Sequence, residues 1–176
     1  AKLDHLVVQD IFVTETAWFA DVILPATAHA EKLGTYTNTN RQVQIGRNVI
    51  EPPKGVKQDW WIIQEIARRI GLDWNYTSPK EIFNEMKLIM PSLNNISWER
   101  LEKENYVTYP VKSENISGED IIFYDGFPTS NNLAKIIPVD LINPNDELNS
   151  DFPLILSTGR LLEHWHTGTM TRKAII

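Results

Sequence analysis

The sequence predicts an α/β fold organised on a small parallel sheet. Three stretches carry that expectation. HLVVQDIFV (5–13) is rich in β-branched and aromatic residues and reads as a buried strand. DVILPA (21–26) reads as a second buried strand that ends at Pro25. Between them TETAWFA (14–20) offers Thr14 as N-cap and Glu15 in the first turn of a short helix. Strand, helix and strand in so few residues predict a tight βαβ-like unit. Sheets of this kind bind ligands beyond the carboxyl ends of their strands, and Gln9 and Asp10 fall near one such end.

The remaining elements follow in order. EKLGTYTNTNRQVQIGR (31–47) is polar, with Thr and Asn alternating around Tyr36, and reads as a hairpin or an irregular solvated loop. QDWWIIQEIARRIG (58–71) is the clearest helix. Its Trp60, Ile63, Ala67 and Ile70 share a face expected to pack on the parallel sheet, Gly71 stands at the C′ position, and Arg68 and Arg69 suit the dipole. SPKEIFNEMKLIM (78–90) predicts a helix with Ser78 as N-cap, Pro79 at its first position and Glu81 as capping-box partner. Its Ile82, Phe83, Met86 and Ile89 form an apolar stripe. A short helix is predicted at SWERLEKE (97–104). Residues 105–150 are rich in Asn, Pro, Ser and Asp, with apolar islands at IIFY and AKIIPV, and read as a connecting region with one or two short strands. FPLIL (152–156) predicts a further strand.

Composition bounds the function. The chain has 176 residues, enough for one domain or parts of two, and 42% hydrophobic and 23% charged content are ordinary for a globular protein. A net charge of −6 argues against a broad nucleic-acid surface while leaving room for a local basic pocket. With no Cys, the segment offers no disulfide, thiolate metal site or iron–sulfur ligand. No apolar run approaches the ~18 residues of a membrane span. No signal peptide is visible, and residue 1 is Ala rather than Met, so the start is expected to be missing.

The chemistry concentrates in STGRLLEHWHTGTMTRK (157–173), directly after FPLIL. A strand ending in Ser-Thr-Gly offers two hydroxyls and a backbone that a ligand can approach. Arg160 adds a planar fork suited to phosphate. In an extended segment His164 and His166 would share one face, with Trp165 opposite. A metal pair would need a third ligand, and neither His5 nor His29 has zinc-like spacing. The residues alone leave three readings: a polar loop, a metal pair, or a site for a large anionic cofactor with hydrogen-bonding rings.

This run resembles the entry to the C-terminal cofactor-binding domain of the molybdopterin oxidoreductases. TETAWFADVILPA with EKLGTYTNTNRQVQ resembles the closing part of that family's central cofactor domain, with Asn40 where the family pattern usually carries an acid. DWWIIQEIARRIGLDWNY, MPSLNNISWERLE and DGFPTSN narrow the resemblance to the alpha subunits of NAD-dependent formate dehydrogenases. The resemblance implies a partial parallel-sheet cofactor domain, plus the first strand of a β-barrel-like C-terminal cap domain. It divides the chain into 1–72 (central domain), 73–150 (connecting region) and 151–176 (start of the dinucleotide-binding domain).

It further implies a bis-molybdopterin guanine dinucleotide cofactor holding molybdenum or tungsten. The contacts it carries over fall on Gln9 and Asp10, on Lys32 and on Asp59. The rest fall on the run Thr158, Gly159, Arg160, Leu161, Leu162, Glu163, His164, Trp165, His166 and Thr167. Asp10, Lys32 and that run are expected to converge on one concave surface. Asp59, at a helix start, could equally be an N-cap or a first-turn acid. The family's metal-ligating Cys or selenocysteine, its neighbouring His, its substrate-orienting Arg and its iron–sulfur cysteines lie upstream of the matched region. The chain is therefore expected to be an internal piece that places the cofactor but holds no catalytic residue or metal ligand. The implied whole is a cytoplasmic enzyme that oxidises formate and passes electrons through flavin and iron–sulfur subunits to NAD. A periplasmic nitrate reductase-like subunit and a non-catalytic accessory module are the alternatives.

Overall fold

The computed structural model describes residues 3–141, 148–168 and 171–173. Strands β1 (Val7–Asp10) and β2 (Val22–Pro25) pair in parallel, Val7 against Val22 and Asp10 against Pro25. The predicted helix between them is a single 3-10 turn, Ala17–Phe19. Thr14 does help cap it, its hydroxyl accepting from the Ala17 N–H at 3.3 Å. Burial of Ala17 anchors the turn.

The polar stretch after β2 is a hairpin. β3 (Gly34–Thr37) and β4 (Gln42–Gly46) pair antiparallel, and β5 (Tyr106–Thr108) joins the other edge of β4. The turn is set by Asn38, whose side-chain oxygen accepts from the N–H groups of Asn40 at 2.9 Å and Gln42 at 3.0 Å. Arg41 completes it at φ 61°, a conformation costly for a side chain this large. Tertiary bonds hold it there: the guanidinium donates to the carbonyls of Tyr109 and Asp120, and the Tyr109 N–H donates to the Arg41 carbonyl.

Three helices follow the expected order: α1 (Asp59–Arg69), α2 (Pro79–Ile89) and α3 (Trp98–Glu104). Ser97 caps α3, its hydroxyl accepting from the Arg100 N–H at 3.1 Å. At α2 the capping differs from expectation. Ser78 makes no side-chain cap, and the Glu81 carboxylate reaches past it to the backbone N–H and hydroxyl of Thr77, both at 2.7 Å. Helices α2 and α3 close over β4 and β5. Val43, Ile45, Phe83, Leu93, Ile96, Trp98, Leu101, Val107 and Val111 form one buried cluster there. Of the predicted α2 stripe, Phe83 is central and Met86 packs at the margin, but Ile89 is exposed.

The predicted face of α1 is corrected. Of that face Ala67 is buried and Trp60 half-buried, but Ile63 and Ile70 are 50% and 73% exposed, while Ile62 and Gln64 go inside. The reason is polar. Gln64 clamps the returning chain with both ends of its amide, donating to the Tyr76 carbonyl at 3.1 Å and accepting from the Tyr76 N–H at 2.7 Å. That clamp turns the helix away from the orientation a purely apolar count selects. Ile62, Ile66 and Trp61 instead border an open apolar groove of about 410 Å³ shared with Leu24 and Pro25 of β2.

The chain divides into two compact units, Ala1–Asp125 and Gly126–Ile176. The apolar islands at 121–124 and 134–139 form no strand. Nor does 152–156: Phe152, Leu154, Ile155 and Leu156 are exposed, and no strand or closed barrel occurs among the described residues of the second unit. A β-prone run becomes a strand only where a neighbour completes its backbone hydrogen bonds, and none is offered there.

Candidate functional site

One group of expected site residues gathers at the carboxyl end of β1. The chain beyond β2 is pinned first. Ala26 bridges Lys57 in parallel, with the Lys57 N–H on the Pro25 carbonyl at 3.2 Å and the Thr27 N–H on the Lys57 carbonyl at 3.1 Å. This fixes where α1 begins and places Asp59, its first residue, next to Gln9 of β1. Lys32 arrives from a 3-10 turn, His29–Glu31, which Glu31 braces by accepting from the Ala28 N–H at 2.9 Å.

The three side chains form a linked set. Gln9 Nε2 donates to Asp59 Oδ1 at 2.7 Å, and Lys32 Nζ donates to Asp59 Oδ2 at 2.5 Å. The Lys32 and Asp59 side chains are 29% and 38% exposed, so the pair is open to a ligand as well as to water. Burial pushes the Asp59 carboxyl up, but the hydrogen bonds from Lys32 and Gln9, with the Lys32 charge, outweigh it and hold the group below its ordinary value. Asp59 is also the acid in the first turn of α1, where the helix dipole favours it. Asp10 is used differently. Its Oδ1 accepts from the N–H groups of Ile11 at 2.7 Å and Phe12 at 3.4 Å and so shapes the turn after β1.

The second group lies within the second unit. The run is not extended, as the His-x-His alternation assumed, but folds back on itself. The His164 N–H donates to the Leu161 carbonyl at 3.2 Å, the Gly168 N–H to the Trp165 carbonyl at 2.9 Å, and the Arg172 N–H to the Gly168 carbonyl at 2.8 Å. His166 and Gly168 take φ values of 49° and 74° to permit this. The result is a concavity of about 520 Å³ lined by Thr158, Gly159, Arg160, Leu161, His164, His166, Thr167 and Arg172. The two His meet there through a turn rather than through strand alternation. His164 Nδ1 lies 2.9 Å from the Thr171 hydroxyl, which holds its ring. The Trp165 ring stands edge-on to His166, with centroids 4.7 Å apart. Leu162, Glu163 and Trp165 are not among the lining residues.

Arg160 and Arg172 give this concavity two cations, and neither is in an ion pair among the described residues. Arg172 was not among the residues expected from sequence. Its signal was its place, five residues beyond Thr167 in the same Thr- and Gly-rich run. Two guanidinium groups, two imidazoles and two Thr hydroxyls suit an anion rich in oxygen with ring heteroatoms. Among the described residues no group of three His, Asp or Glu side chains gathers to hold a metal ion.

Residues 1–69 match the family model described as "Molybdopterin oxidoreductase". The relatives extend the match. The F420-dependent formate dehydrogenase subunit alpha of Methanocaldococcus jannaschii is 45% identical over 174 residues, 98% of this chain. The molybdopterin oxidoreductase match thus covers the first part of the chain, and the likeness to formate dehydrogenase subunits runs along nearly all of it. A Staphylococcus aureus (strain USA300) protein named "Putative formate dehydrogenase" is 43% identical over 172 residues, 97% of this chain. The chain spans 26% and 17% of the lengths of these two curated relatives. The match to the molybdopterin oxidoreductases implies a molybdopterin cofactor carrying molybdenum or tungsten. The donor set of the Thr158–Arg172 concavity is chemically compatible with such a group, because guanidinium forks, imidazoles and hydroxyls suit phosphate and pterin oxygens. No helix of the described residues is long and apolar enough to cross a membrane.

Proposed function

We propose that this chain supplies part of the cofactor cradle in the large subunit of a formate dehydrogenase. The observation that carries the reading is the Thr158–Arg172 concavity, with two Arg in no ion pair among the described residues and two His, in a chain 45% identical to a formate dehydrogenase subunit alpha. The bound cofactor, a bis-molybdopterin guanine dinucleotide, supplies the two-electron redox chemistry that takes formate to CO2 and a proton. The residues of this chain bind and orient it. Arg160 and Arg172 take phosphate oxygens. Thr158, Thr167 and the imidazoles of His164 and His166 meet pterin heteroatoms. Gln9 and Lys32 take polar edges at the carboxyl end of β1, and Asp10 shapes the turn beside them.

Residues 1–72 close the central cofactor domain in this reading, 73–150 connect, and 151–176 open the dinucleotide-binding domain. Iron–sulfur and flavin centres carried elsewhere in the enzyme pass the electrons to NAD, in the cytoplasm. The name of the Methanocaldococcus relative carries F420 instead, so the acceptor is assayed directly. The test is purification of the whole subunit with its partners from the native host. Metal and pterin content are measured, with formate-dependent reduction of NAD and of F420 assayed in parallel. Arg160→Ala is expected to lower cofactor content, since a charge-assisted bond to an anion contributes roughly 1.5–3 kcal/mol. Unchanged metal and guanine nucleotide in that variant, or no reaction with formate in the parent, overturns the reading.

A further inference from the structure

We propose that the Asp125–Gly126 peptide is a site of spontaneous backbone modification, at which the Asp125 side chain closes onto its own main chain and reopens as isoaspartate, and that Lys112 holds this reaction back. Nothing in this chemistry depends on the cofactor. Asp125 is the single Asp or Asn in the chain that Gly follows. Every other Asp precedes a larger residue, such as Ile11, Val22, Trp60 or Trp74, whose side chain crowds the amide that would attack. The Asp125 side chain is 80% exposed, in a turn outside every helix and strand. Gly126 takes φ 129°, a conformation that Gly alone adopts freely. Its N–H donates to no acceptor among the described residues. The attacking nitrogen is therefore not held in a hydrogen-bonded ladder that would keep it from the carboxyl.

The step balances without any co-reactant beyond water. The carboxylate takes a proton from solvent, and the Gly126 nitrogen attacks Asp125 Cγ. The C–N bond forms, and the carboxyl oxygen leaves with the amide proton as water, which closes a succinimide ring. Water then reopens the ring. Cleavage at Cγ restores Asp, whereas cleavage at the main-chain carbonyl leaves isoaspartate, with the main chain running through Cβ and lengthened by a methylene. The composition of the chain is unchanged. Lys112 Nζ lies 3.2 Å from Asp125 Oδ2 and 3.1 Å from Glu119 Oε1. Ring closure needs the carboxyl turned back against the Gly126 nitrogen, and the Lys112 bond competes with that turn. An exposed pair restrains only modestly, so Lys112 slows the reaction and does not abolish it.

The test uses the whole purified subunit, held at neutral pH and sampled over time. Isoaspartate is read as labelled methyl groups transferred by an isoaspartyl carboxyl methyltransferase, and is located by peptide mapping. The parent should accumulate label in the peptide that holds residue 125. Asp125→Glu keeps the charge on an exposed side chain, but its longer arm closes a ring far more slowly, so the label should be lost. Asp125→Asn should form the same isoaspartate sooner than the parent, with release of ammonia. Lys112→Met should label sooner than the parent while folded, and at the parental rate when both are unfolded in urea, where the pair does not exist. A parent without label at 125, or with as much label at another Asp, overturns the site. Label that persists in Asp125→Glu overturns it too. Equal rates in folded Lys112→Met and folded parent overturn the role given to Lys112.

Discussion

Leu101→Ala tests the packing that supports everything else in the first unit. Leu101 is fully buried in α3, in the cluster with Phe83, Trp98 and Val107, themselves at most 4% exposed. Truncation to Ala removes three carbon atoms where the neighbours have little freedom to close the gap. Leu→Ala substitutions in cores cost about 2–5 kcal/mol, and the value rises with the cavity that stays open. A loss of about 3 kcal/mol is expected here, because the surrounding rings are pinned between helices and sheet. Global melting is a poor readout for a large multidomain subunit, so the assay is hydrogen exchange of the 97–111 amides in the whole protein. About 3 kcal/mol corresponds to exchange faster by about a hundredfold, at roughly 1.4 kcal/mol per factor of ten. Leu88→Ala is the control, since Leu88 is 82% exposed and surface changes stay within about 0.5 kcal/mol. Equal exchange in the two variants would refute the placement of α3 on β4 and β5.

Other outcomes follow from single contacts. Gly118→Ala would bring a Cβ to 1.5 Å from the Thr108 carbonyl oxygen, a backbone atom that cannot step aside. It should destabilise β5 by about 1–3 kcal/mol, read as faster exchange at 106–108. The Lys32–Asp59 link has a defined pH sense. A depressed carboxyl stabilises the fold above its ordinary range, and that contribution fades as pH falls through the lowered value. The Asp59→Asn protein should therefore show less acid loss of protection near α1 than the parent; identical acid limbs would contradict it. Partial exposure keeps this effect modest. The isolated 176-residue polypeptide is expected to aggregate or bind apolar dyes, because β1 and β2 leave open edges and Trp18 and Phe19 are 78% and 81% exposed. A soluble monomer with a sharp cooperative melt would count against this.

Elements whose signal is local were legible in the sequence. The pairing of β1 with β2 follows from two short apolar runs, although the burial expected of both is not met, since Val7, Val22 and Ile23 are exposed, and α3 follows from Ser97 before an amphipathic turn. The hairpin stood undecided because Thr and Asn alternate in it without an apolar face until Val43 and Ile45. What fixes it is Arg41, held by carbonyls of Tyr109 and Asp120, and no window of sequence contains that contact. The face of α1 was misassigned for the same reason. Gln64 counts as a surface residue in any periodicity, yet its amide is matched by both backbone groups of Tyr76 and goes inside. The run 152–156 has strand composition, but among the described residues no second strand accompanies it. Strand propensity describes fit to a pleated surface and does not create one.

The candidate site divides along a similar line. Residue types narrowed its chemistry without fixing it: an Arg and two His after Ser-Thr-Gly left a polar loop, a metal pair and an anionic cofactor open, and the family resemblance pointed to the last. The backbone departs from an extended run, turning at 161–168 and bringing Arg172 to the lining. Asp59 shows the limit most clearly. From sequence it could be a helix-start acid or a cofactor contact, and the structure makes it the first-turn acid while joining it to Lys32 and Gln9. In the proposed reading an acid beside an anionic cofactor needs a neutralising partner, and Lys32, 27 residues away, is bonded to it. The Gln9 and Lys32 bonds to Asp59 tie α1 to β1 and to the chain after the His29–Glu31 turn, so loss of either contact is expected to loosen this cluster before the core formed by α2, α3, β4 and β5.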